Sequence, residues 1–295
     1  MFEGIFTALI TPMKNGTIDF DGLERIVDYQ LEAGVQGLAI CATTGEGSSL
    51  RNDERSKVID TVVKRVQGRI KVIVGTGRVA TWATIETSRV AADLGADATL
   101  VVSPAYILPS QDGIAQHYED VADQSGLPVI AYNVPSRTGS HIAPETLRRI
   151  SKHENLVGVK EATSSVLRVQ QVVAAVEGRM DVLAGDDPIV LSLLIAGGQG
   201  AISTAANAVP KRWVALWNSW KDGDIERAAR MQAELTGLHE ALFAETNPGP
   251  VKAAVHLLGL IEPEIRSPLT WPQTDTLKRL QRELSRFDLP LGELS

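Results

Sequence analysis

The sequence predicts an α/β protein in which eight parallel strands and the helices between them close into a (β/α)8 TIM barrel, followed by a C-terminal helical appendage. Three observations support this fold class. Short apolar runs alternate with longer amphipathic stretches along most of the chain, as in a series of β-α units. These units are evenly spaced. No strong dinucleotide fingerprint follows the first run, and Gly75-Thr76-Gly77 lacks the third glycine of such a motif.

The apolar runs are short enough for strands, and the stretches between them have helical periodicity. The predicted strands span residues 5–10, 35–41, 71–74, 98–102, 128–132, 156–160, 181–184 and 200–203. The predicted helices span residues 21–33, 53–66, 84–94, 113–124, 145–150, 166–176 and 189–195. Val58, Val62, Val63 and Val66 recur at helical spacing, which predicts a buried helix face. Gly34 and Gly95 follow helices directly, where a left-handed cap is expected.

After the eighth strand the pattern contains only helices. They are predicted over residues 210–221, 225–245, 250–258 and 271–287. Trp213, Trp217 and Trp220 are spaced i, i+4, i+7, so they share a helix face that packs inward or against a partner. No linker composition separates the two parts. We therefore divide the chain into a barrel with the catalytic site, residues 1–224, and a helical region packed on it, residues 225–295.

Composition excludes several classes of protein. The net charge of −7 and the pI near 5.3, without a basic block, argue against a nucleic-acid-binding protein. The longest apolar runs, such as residues 190–196, are too short to cross a membrane. The N-terminal residues lack the features of a secretory signal, so a cytoplasmic location is expected. Cys41 is the only cysteine, which excludes an internal disulfide, and its apolar neighbours favour a core position over a reactive thiol.

The sixth predicted strand contains a residue that is rarely buried, Lys160. An ammonium without a partner in an apolar setting tends to lose its proton, and a neutral lysine is a nucleophile that forms Schiff bases with carbonyl compounds. Alternation along the strand places Gly158 on the same side as Lys160, which leaves space beneath the amine inside the barrel. The residues alone leave an alternative open, in which Lys160 pairs with a carboxylate such as Glu161 at the strand end.

Three further strand ends carry polar residues where barrel enzymes place their active sites. The turn of residues 43–47 is rich in hydroxyl and backbone N–H donors, which suits a small carboxylate as well as an ordinary β-α turn. Tyr132 could transfer protons, or could be a core aromatic with its hydroxyl at the rim. Arg137 could bind a carboxylate through its fork of donors. The seventh strand ends in Gly185-Asp186-Asp187.

Four motifs at these strand ends resemble those of the dihydrodipicolinate synthase family. They are Thr43-Thr44-Gly45-Glu46, Tyr132-Asn133-Val134-Pro135-Ser136-Arg137-Thr138-Gly139, Gly158-Val159-Lys160-Glu161-Ala162-Thr163 and Gly185-Asp186-Asp187. The resemblance extends from the first strand to Asn247-Pro248-Gly249-Pro250-Val251-Lys252, which is nearly the whole chain. The family belongs to the class I aldolase superfamily, whose members share the lysine, the tyrosine and the glycine-rich turn. These residues therefore indicate the mechanism more than the substrate.

The resemblance implies condensation of pyruvate with L-aspartate-4-semialdehyde, the entry step to diaminopimelate and lysine, without a metal or an organic cofactor. It also implies a homotetramer, arranged as a dimer of dimers. The implied roles are Schiff-base formation for Lys160; proton relay for Tyr132, Thr43 and Tyr106, the last in the neighbouring subunit's site; binding of the pyruvate carboxylate for Thr44; binding of the aldehyde's carboxylate for Arg137; and lining of the pocket for Gly185 and Ile202.

The chain departs from the lysine-inhibited bacterial members of the family around the allosteric pocket. Ala105 stands where they have a tyrosine, and Arg55, Val79 and Ala83 stand where they have His, Asn and Glu. An apolar pocket cannot hydrogen-bond the amino and carboxylate groups of free lysine. We therefore predict weak inhibition by lysine, or none.

Two other functions fit parts of the pattern. A 2-keto-3-deoxy sugar acid aldolase or an N-acetylneuraminate-type lyase of the same superfamily would retain Lys160 and Tyr132 but would have little use for Arg137. A protein that senses a small keto acid without chemistry would be indicated by loss of a relay residue, yet Thr43, Tyr106 and Tyr132 are all present.

Overall fold

The computed structural model describes residues 2–292 and contains eight parallel strands closed into a barrel. The strands are β1 (Gly4–Ala8), β2 (Gly37–Ile40), β3 (Lys71–Gly75), β4 (Ala98–Val102), β5 (Val129–Asn133), β6 (Leu156–Glu161), β7 (Asp181–Ala184) and β8 (Gly200–Ser203). Each pairs in parallel with the next, and β8 pairs with β1, so the sheet has no open edge. The predicted fold class and all eight predicted strands are confirmed, with strand ends within two residues of those expected.

Alternating side chains divide the core into two layers. The barrel interior is filled by a cluster that includes Phe6, Ile130, Tyr132, Leu183 and Ile202. The other side chains of the strands pack in a larger cluster between barrel and helices. At Gly37 a Cβ atom would lie 2.5 Å from the ring of Phe6, because the glycine makes room for the aromatic side chain in register with it. Strand alternation thus determines which side chains reach the barrel interior.

Helices follow the strands and cover the barrel. They are α1 (Phe20–Ala33), α2 (Asn52–Val66), α3 (Thr81–Asp93), α4 (Gln111–Gln124), α5 (Pro135–Thr138), α6 (Pro144–Ile150), α7 (Val166–Val176), α8 (Val190–Ile195) and α9 (Pro210–Lys221). Val58, Val62 and Val66 are buried on α2, as their spacing predicts, and Val63 is partly buried against the same core. Gly34 and Gly95 follow their helices with φ of 79° and 87°, which confirms the expected left-handed caps. In the described helices no segment is long and apolar enough to cross a membrane.

The C-terminal helices are α10 (Ile225–Glu234), α11 (Thr236–Leu242), α12 (Gly249–Leu257) and α13 (Thr274–Leu284). The prediction of one helix over residues 225–245 is wrong, because the helix is interrupted at Leu235. The break precedes Thr236 and Gly237, both poor helix formers. A Cβ atom on Gly237 would lie 2.3 Å from Oε2 of Glu283, so the glycine lets α11 approach α13 closely. Trp213 and Trp217 are buried, which confirms their inward packing.

Sequence analysis did not predict a small hairpin between β1 and α1. Met13–Lys14 and Thr17–Ile18 pair antiparallel around Asn15 and Gly16, whose φ angles are 53° and 76°. Asn-Gly is the preferred dipeptide of a two-residue hairpin turn, so the signal was present. We propose to keep residue 224 as the boundary between the two parts, because α9 packs on β1 and α1 as a barrel helix and α10 begins at residue 225.

Candidate active site

A cavity of about 390 Å³ opens at the carboxyl ends of the strands. Thr43, from the turn after β2, Tyr132, from the end of β5, and Arg137, from the short helix that follows β5, all line it. Asn247, from the loop before α12, contributes to the same wall. The volume is typical of a site for a small organic molecule. The barrel therefore brings three of the predicted site residues together at the expected face.

Lys160 lies inside the barrel, as strand alternation predicts. Its register partners are Tyr132 on β5 and Leu183 on β7, and only 4% of the residue is exposed. The Lys160 amine nitrogen lies 4.5 Å from the centroid of the Tyr132 ring. Because Tyr132 lines the cavity and Lys160 does not, the buried amine contacts a residue of the cavity wall.

The alternative in which Lys160 pairs with Glu161 is wrong. Glu161 is fully buried, and its two carboxylate oxygens each accept a hydrogen bond of 2.9 Å from Nδ2 of Asn133. Nε of Arg168 also donates to this carboxylate, at 3.1 Å. Within residues 2–292 Lys160 forms no ion pair with any carboxylate. Its amine is therefore not committed to a structural salt bridge.

Gly185 and Ile202 both contribute to the surroundings of the lysine. A Cβ atom on Gly185 would lie 2.8 Å from Cε of Lys160, so only glycine leaves the lysine side chain its present space. The backbone N–H of Gly185 donates to the carbonyl of Glu161 at 2.7 Å, which joins β6 to the segment after β7. Ile202 is fully buried in the same interior cluster as Tyr132.

The turn after β2 carries Thr43 and Thr44. A Cβ atom on Gly47 would lie 1.8 Å from the carbonyl oxygen of Cys41, so the chain folds back on itself too closely for any side chain at residue 47. Thr44 is buried, and its hydroxyl oxygen accepts a hydrogen bond of 3.1 Å from Nδ2 of Asn247. Cys41 is buried as predicted, and burial raises the pKa of its thiol to about 11.

Sequence analysis missed the ion pair that holds this turn. Nζ of Lys252, on α12, lies 2.6 Å from Oε1 of Glu46, and both side chains are fully buried. The other oxygen of Glu46 accepts a hydrogen bond of 3.1 Å from the backbone N–H of Arg266. Burial lowers the pKa of Lys252, and the carboxylate of Glu46 acts in the opposite direction. The signal was a lysine among the apolar residues of the first two turns of a helix that begins with Gly-Pro.

Arg137 and Tyr106 lie at the outer part of the site. Arg137 is on the short helix α5, and its guanidinium donates to the carbonyl of Asn247 at 3.4 Å. Tyr106 is 91% exposed and does not line the cavity, whereas its neighbour Ala105 does. Within one chain the structure thus does not bring Tyr106 to the other predicted relay residues.

Comparison with known proteins finds similarity along nearly the whole chain. The model of the dihydrodipicolinate synthetase family matches residues 1–287. The protein named 4-hydroxy-tetrahydrodipicolinate synthase of Geobacter sp. (strain M21) is 43% identical over 289 residues, which is 98% of this chain and 100% of that protein. The solved dihydrodipicolinate synthase from Aquifex aeolicus is 38% identical with a TM-score of 0.96, over 99% of this chain and 100% of that chain.

A further solved structure, described as the first monomeric dihydrodipicolinate synthase variant, is 41% identical with a TM-score of 0.96. It covers 98% of this chain, and this chain covers 97% of it. These similarities confirm the resemblance inferred from the strand-end motifs. The chain belongs to the dihydrodipicolinate synthetase family.

Proposed function

We propose that this lyase of the dihydrodipicolinate synthetase family condenses pyruvate with L-aspartate-4-semialdehyde through a Schiff base on Lys160, in diaminopimelate and lysine biosynthesis. The main support is a buried lysine without a carboxylate partner among residues 2–292, against the ring of a tyrosine that lines a small-molecule cavity. The names of relatives similar over their full length support the same reaction.

In the proposed reaction, the amine of Lys160 attacks the ketone carbon of pyruvate, and loss of water gives an imine. Removal of a methyl proton gives an enamine, which forms a carbon–carbon bond with the aldehyde and leaves a hydroxyl group. The amine of the semialdehyde then attacks the imine carbon, which closes the ring and releases Lys160. Tyr132, next to Nζ, and Thr43 move protons between these groups. The lysine imine serves as the electron sink, so the reaction needs neither a metal nor an organic cofactor.

The two substrate carboxylates are assigned to different residues. We assign the pyruvate carboxylate to Thr44 and the backbone N–H groups of its turn. The carboxylate of the aldehyde is assigned to Arg137, whose fork of donors matches it. Gly185, which packs against the Lys160 side chain, and Ile202, in the same interior cluster as Tyr132, are assigned to the surroundings of the reacting carbon. We further propose that the enzyme works in the cytoplasm.

We propose that Tyr106 acts in the site of a neighbouring subunit, within a homotetramer made of two dimers. Tyr106, Ile107 and Leu108 form an exposed run next to the cavity, and Val166, Leu167 and Ile195 are also exposed. Exposed apolar groups of this kind are typical of protein–protein contacts. Mixing two inactive oligomers, Tyr106→Phe and Tyr132→Phe, should restore activity, since one mixed site is then intact. No recovery after subunit exchange, or a monomer in sedimentation velocity, would contradict the proposal.

We propose that lysine inhibits this enzyme weakly or not at all. Arg55, in place of a family histidine, is buried, and its two terminal nitrogens already donate to the carbonyls of Cys41, Gly47 and Gly75. Val79 and Ala105 offer no polar side-chain group to an amino acid. An activity titration is expected to show no inhibition at sub-millimolar lysine. Strong inhibition there would refute this proposal.

The Schiff base is tested by incubation with pyruvate and borohydride, followed by intact mass and peptide mapping. A reduced pyruvate adduct is expected on Lys160 in the wild type and absent from Lys160→Arg. A folded wild-type protein that gains no adduct would overturn the mechanism. The second substrate is tested by offering aspartate semialdehyde and sugar aldehydes to the same protein. Turnover of the sugar aldehydes alone would favour the sugar-acid aldolase reaction.

A further inference from the structure

Arg78 lines the cavity and lies three residues before the start of α3. It is half-buried, and its backbone is anchored because its N–H donates to Oγ1 of Thr84 at 2.9 Å. Its guanidinium forms no hydrogen bond and no ion pair with any residue from 2 to 292. Burial lowers the pKa of Arg78, as expected for a cation without an anionic neighbour.

The cavity lining offers Arg78 no counter-ion. Glu46 is the only acidic residue among the lining residues, and its carboxylate is engaged by Lys252 and by the backbone of Arg266. The thiol of Cys41 is close to Arg78, but burial raises its pKa to about 11, so it is uncharged at neutral pH. The positive charge of Arg78 is therefore not compensated by the cavity wall.

A second buried guanidinium strengthens this positive region. Arg55 is only 3% exposed and donates to the carbonyls of Cys41, Gly47 and Gly75, all of which line the cavity. Its Nε has no hydrogen-bond partner among the described residues. Burial lowers the pKa of Arg55, and the nearby charge of Arg78 adds to this effect. The carbonyl groups of this wall thus accept hydrogen bonds from Arg55, while the guanidinium of Arg78 remains available to the cavity.

We propose that Arg78 is an anion-binding residue that forms a second carboxylate subsite in this cavity, separate from Arg137. Its ligand is the carboxylate of a small organic anion, because the planar guanidinium can donate two parallel hydrogen bonds to such a group. Ala105, with its short side chain, lines the same cavity of about 390 Å³. This subsite follows from charge and space alone, so it does not depend on the proposed reaction.

Direct binding tests the subsite without turnover. Succinate is titrated into the folded protein at low ionic strength, where charge interactions are least screened, and heat is measured. The Arg137→Met variant removes the first carboxylate site, and Arg78→Met or the control Arg227→Met is added to it. Arg227 is exposed on α10, so its replacement removes a charge at a distance from the cavity lining.

We expect Arg137→Met to bind succinate, Arg137→Met/Arg78→Met to bind it at least tenfold more weakly, and Arg137→Met/Arg227→Met to bind it like Arg137→Met. Arg137→Met/Arg78→Lys should lie between, because lysine retains the charge without the fork. Absence of binding to folded Arg137→Met, or equal binding after Arg78→Met, overturns the proposal. If Arg137→Met does not fold, the stoichiometry decides: Arg78→Met alone must remove one of two bound succinates from the wild type.

Steady-state kinetics then distinguish the source of the carboxylate. If it belongs to the aldehyde substrate, Arg78→Met raises KM for the aldehyde several-fold and leaves kcat nearly unchanged. If it belongs to a separate anion, KM is unchanged, and succinate alters the rate of the wild type but not of Arg78→Met. A wild type that does not turn over these substrates would contradict the proposed function and leave the binding result intact.

Discussion

Lys252 and Glu46 form a fully buried ion pair that joins α12 to the turn carrying Thr43 and Thr44. The two residues are 206 positions apart in sequence. A buried pair of this kind stabilises little compared with an apolar pair, but removal of one partner leaves an isolated charge in the interior. The C-terminal helices therefore help to hold the conformation of the candidate site.

Lys252→Met should lower the free energy of unfolding by about 3–5 kcal/mol, because the carboxylate of Glu46 loses its partner. Adding Glu46→Gln should recover part of the loss, since glutamine is uncharged and can still accept from the N–H of Arg266. Urea unfolding measures both variants, with Lys57→Met, at an exposed position of α2, as the control. A loss below about 1 kcal/mol for Lys252→Met would show that the pair is not needed.

Gly47→Ala should disrupt the turn of Thr43 and Thr44. The added Cβ atom would lie 1.8 Å from the carbonyl oxygen of Cys41, and backbone must move to accept it. We expect both a lower midpoint of thermal unfolding and a higher KM for pyruvate. Gly113→Ala is the matched control, because its Cβ atom would meet only ordinary contacts of 3.5 Å. Identical behaviour of the two variants would refute this view of the turn.

Gly185→Ala should reduce turnover. Its Cβ atom would lie 2.8 Å from Cε and 3.0 Å from Cγ of Lys160 and 2.8 Å from Cβ of Ala162, so the lysine side chain and the segment after β6 must both shift. The rate of borohydride trapping with pyruvate should fall at least tenfold, by analogy with other small misplacements of reacting groups. Circular dichroism checks that the barrel is intact. Trapping at the wild-type rate would show that the reactivity of Lys160 does not depend on the space left by Gly185.

His117 should make stability depend on pH. Burial lowers its pKa from 6.5 to about 4, although Asp120 acts in the opposite direction, and Nε2 has no partner among the described residues. Above pH 6.5 the histidine is neutral in both states. Between pH 6.5 and 4 only the unfolded chain takes up the proton, so the free energy of unfolding should fall, by roughly 2–3 kcal/mol, as the pH falls.

This dependence is measured by urea unfolding at several pH values. His117→Asn should flatten the curve between pH 6.5 and 4, while His141→Asn, at an exposed position, should leave it unchanged. Parallel curves for His117→Asn and the wild type would show that another group controls stability in this range.

The fold could be predicted because each barrel strand is short, apolar and separated from the next by an amphipathic helix. The ends of some helices depend on tertiary contacts, which the periodicity of the sequence does not reveal. The helix predicted over 225–245 is interrupted at Leu235, two residues before Gly237, which packs against Glu283, a residue 46 positions away in sequence. The hairpin around Asn15-Gly16 was missed although its turn signal was present, since its strands are only two residues long.

Those features of the candidate site that depend on a single strand could be predicted. Alternation along β6 was sufficient to direct Lys160 inward, and the partner of Glu161 could not be known, because Arg168 lies on the following helix. Residues whose role depends on contacts with distant parts of the sequence could not be identified. In the sequence, Lys252 cannot be distinguished from other helix lysines, because its partner Glu46 is known only from the folded structure. The role proposed for Arg78 depends on the absence of a counter-ion among the cavity residues, which also requires the structure.

The dependence of Glu46 on Lys252 has a consequence during protein synthesis. When the second strand leaves the ribosome, the residues that neutralise and hydrogen-bond Glu46 have not yet been made. A nascent chain that stops before residue 252 would have to bury a carboxylate without a partner to form the turn of Thr43 and Thr44, which is unfavourable. The barrel can begin to assemble early, but competence for catalysis arrives only with the last part of the polypeptide.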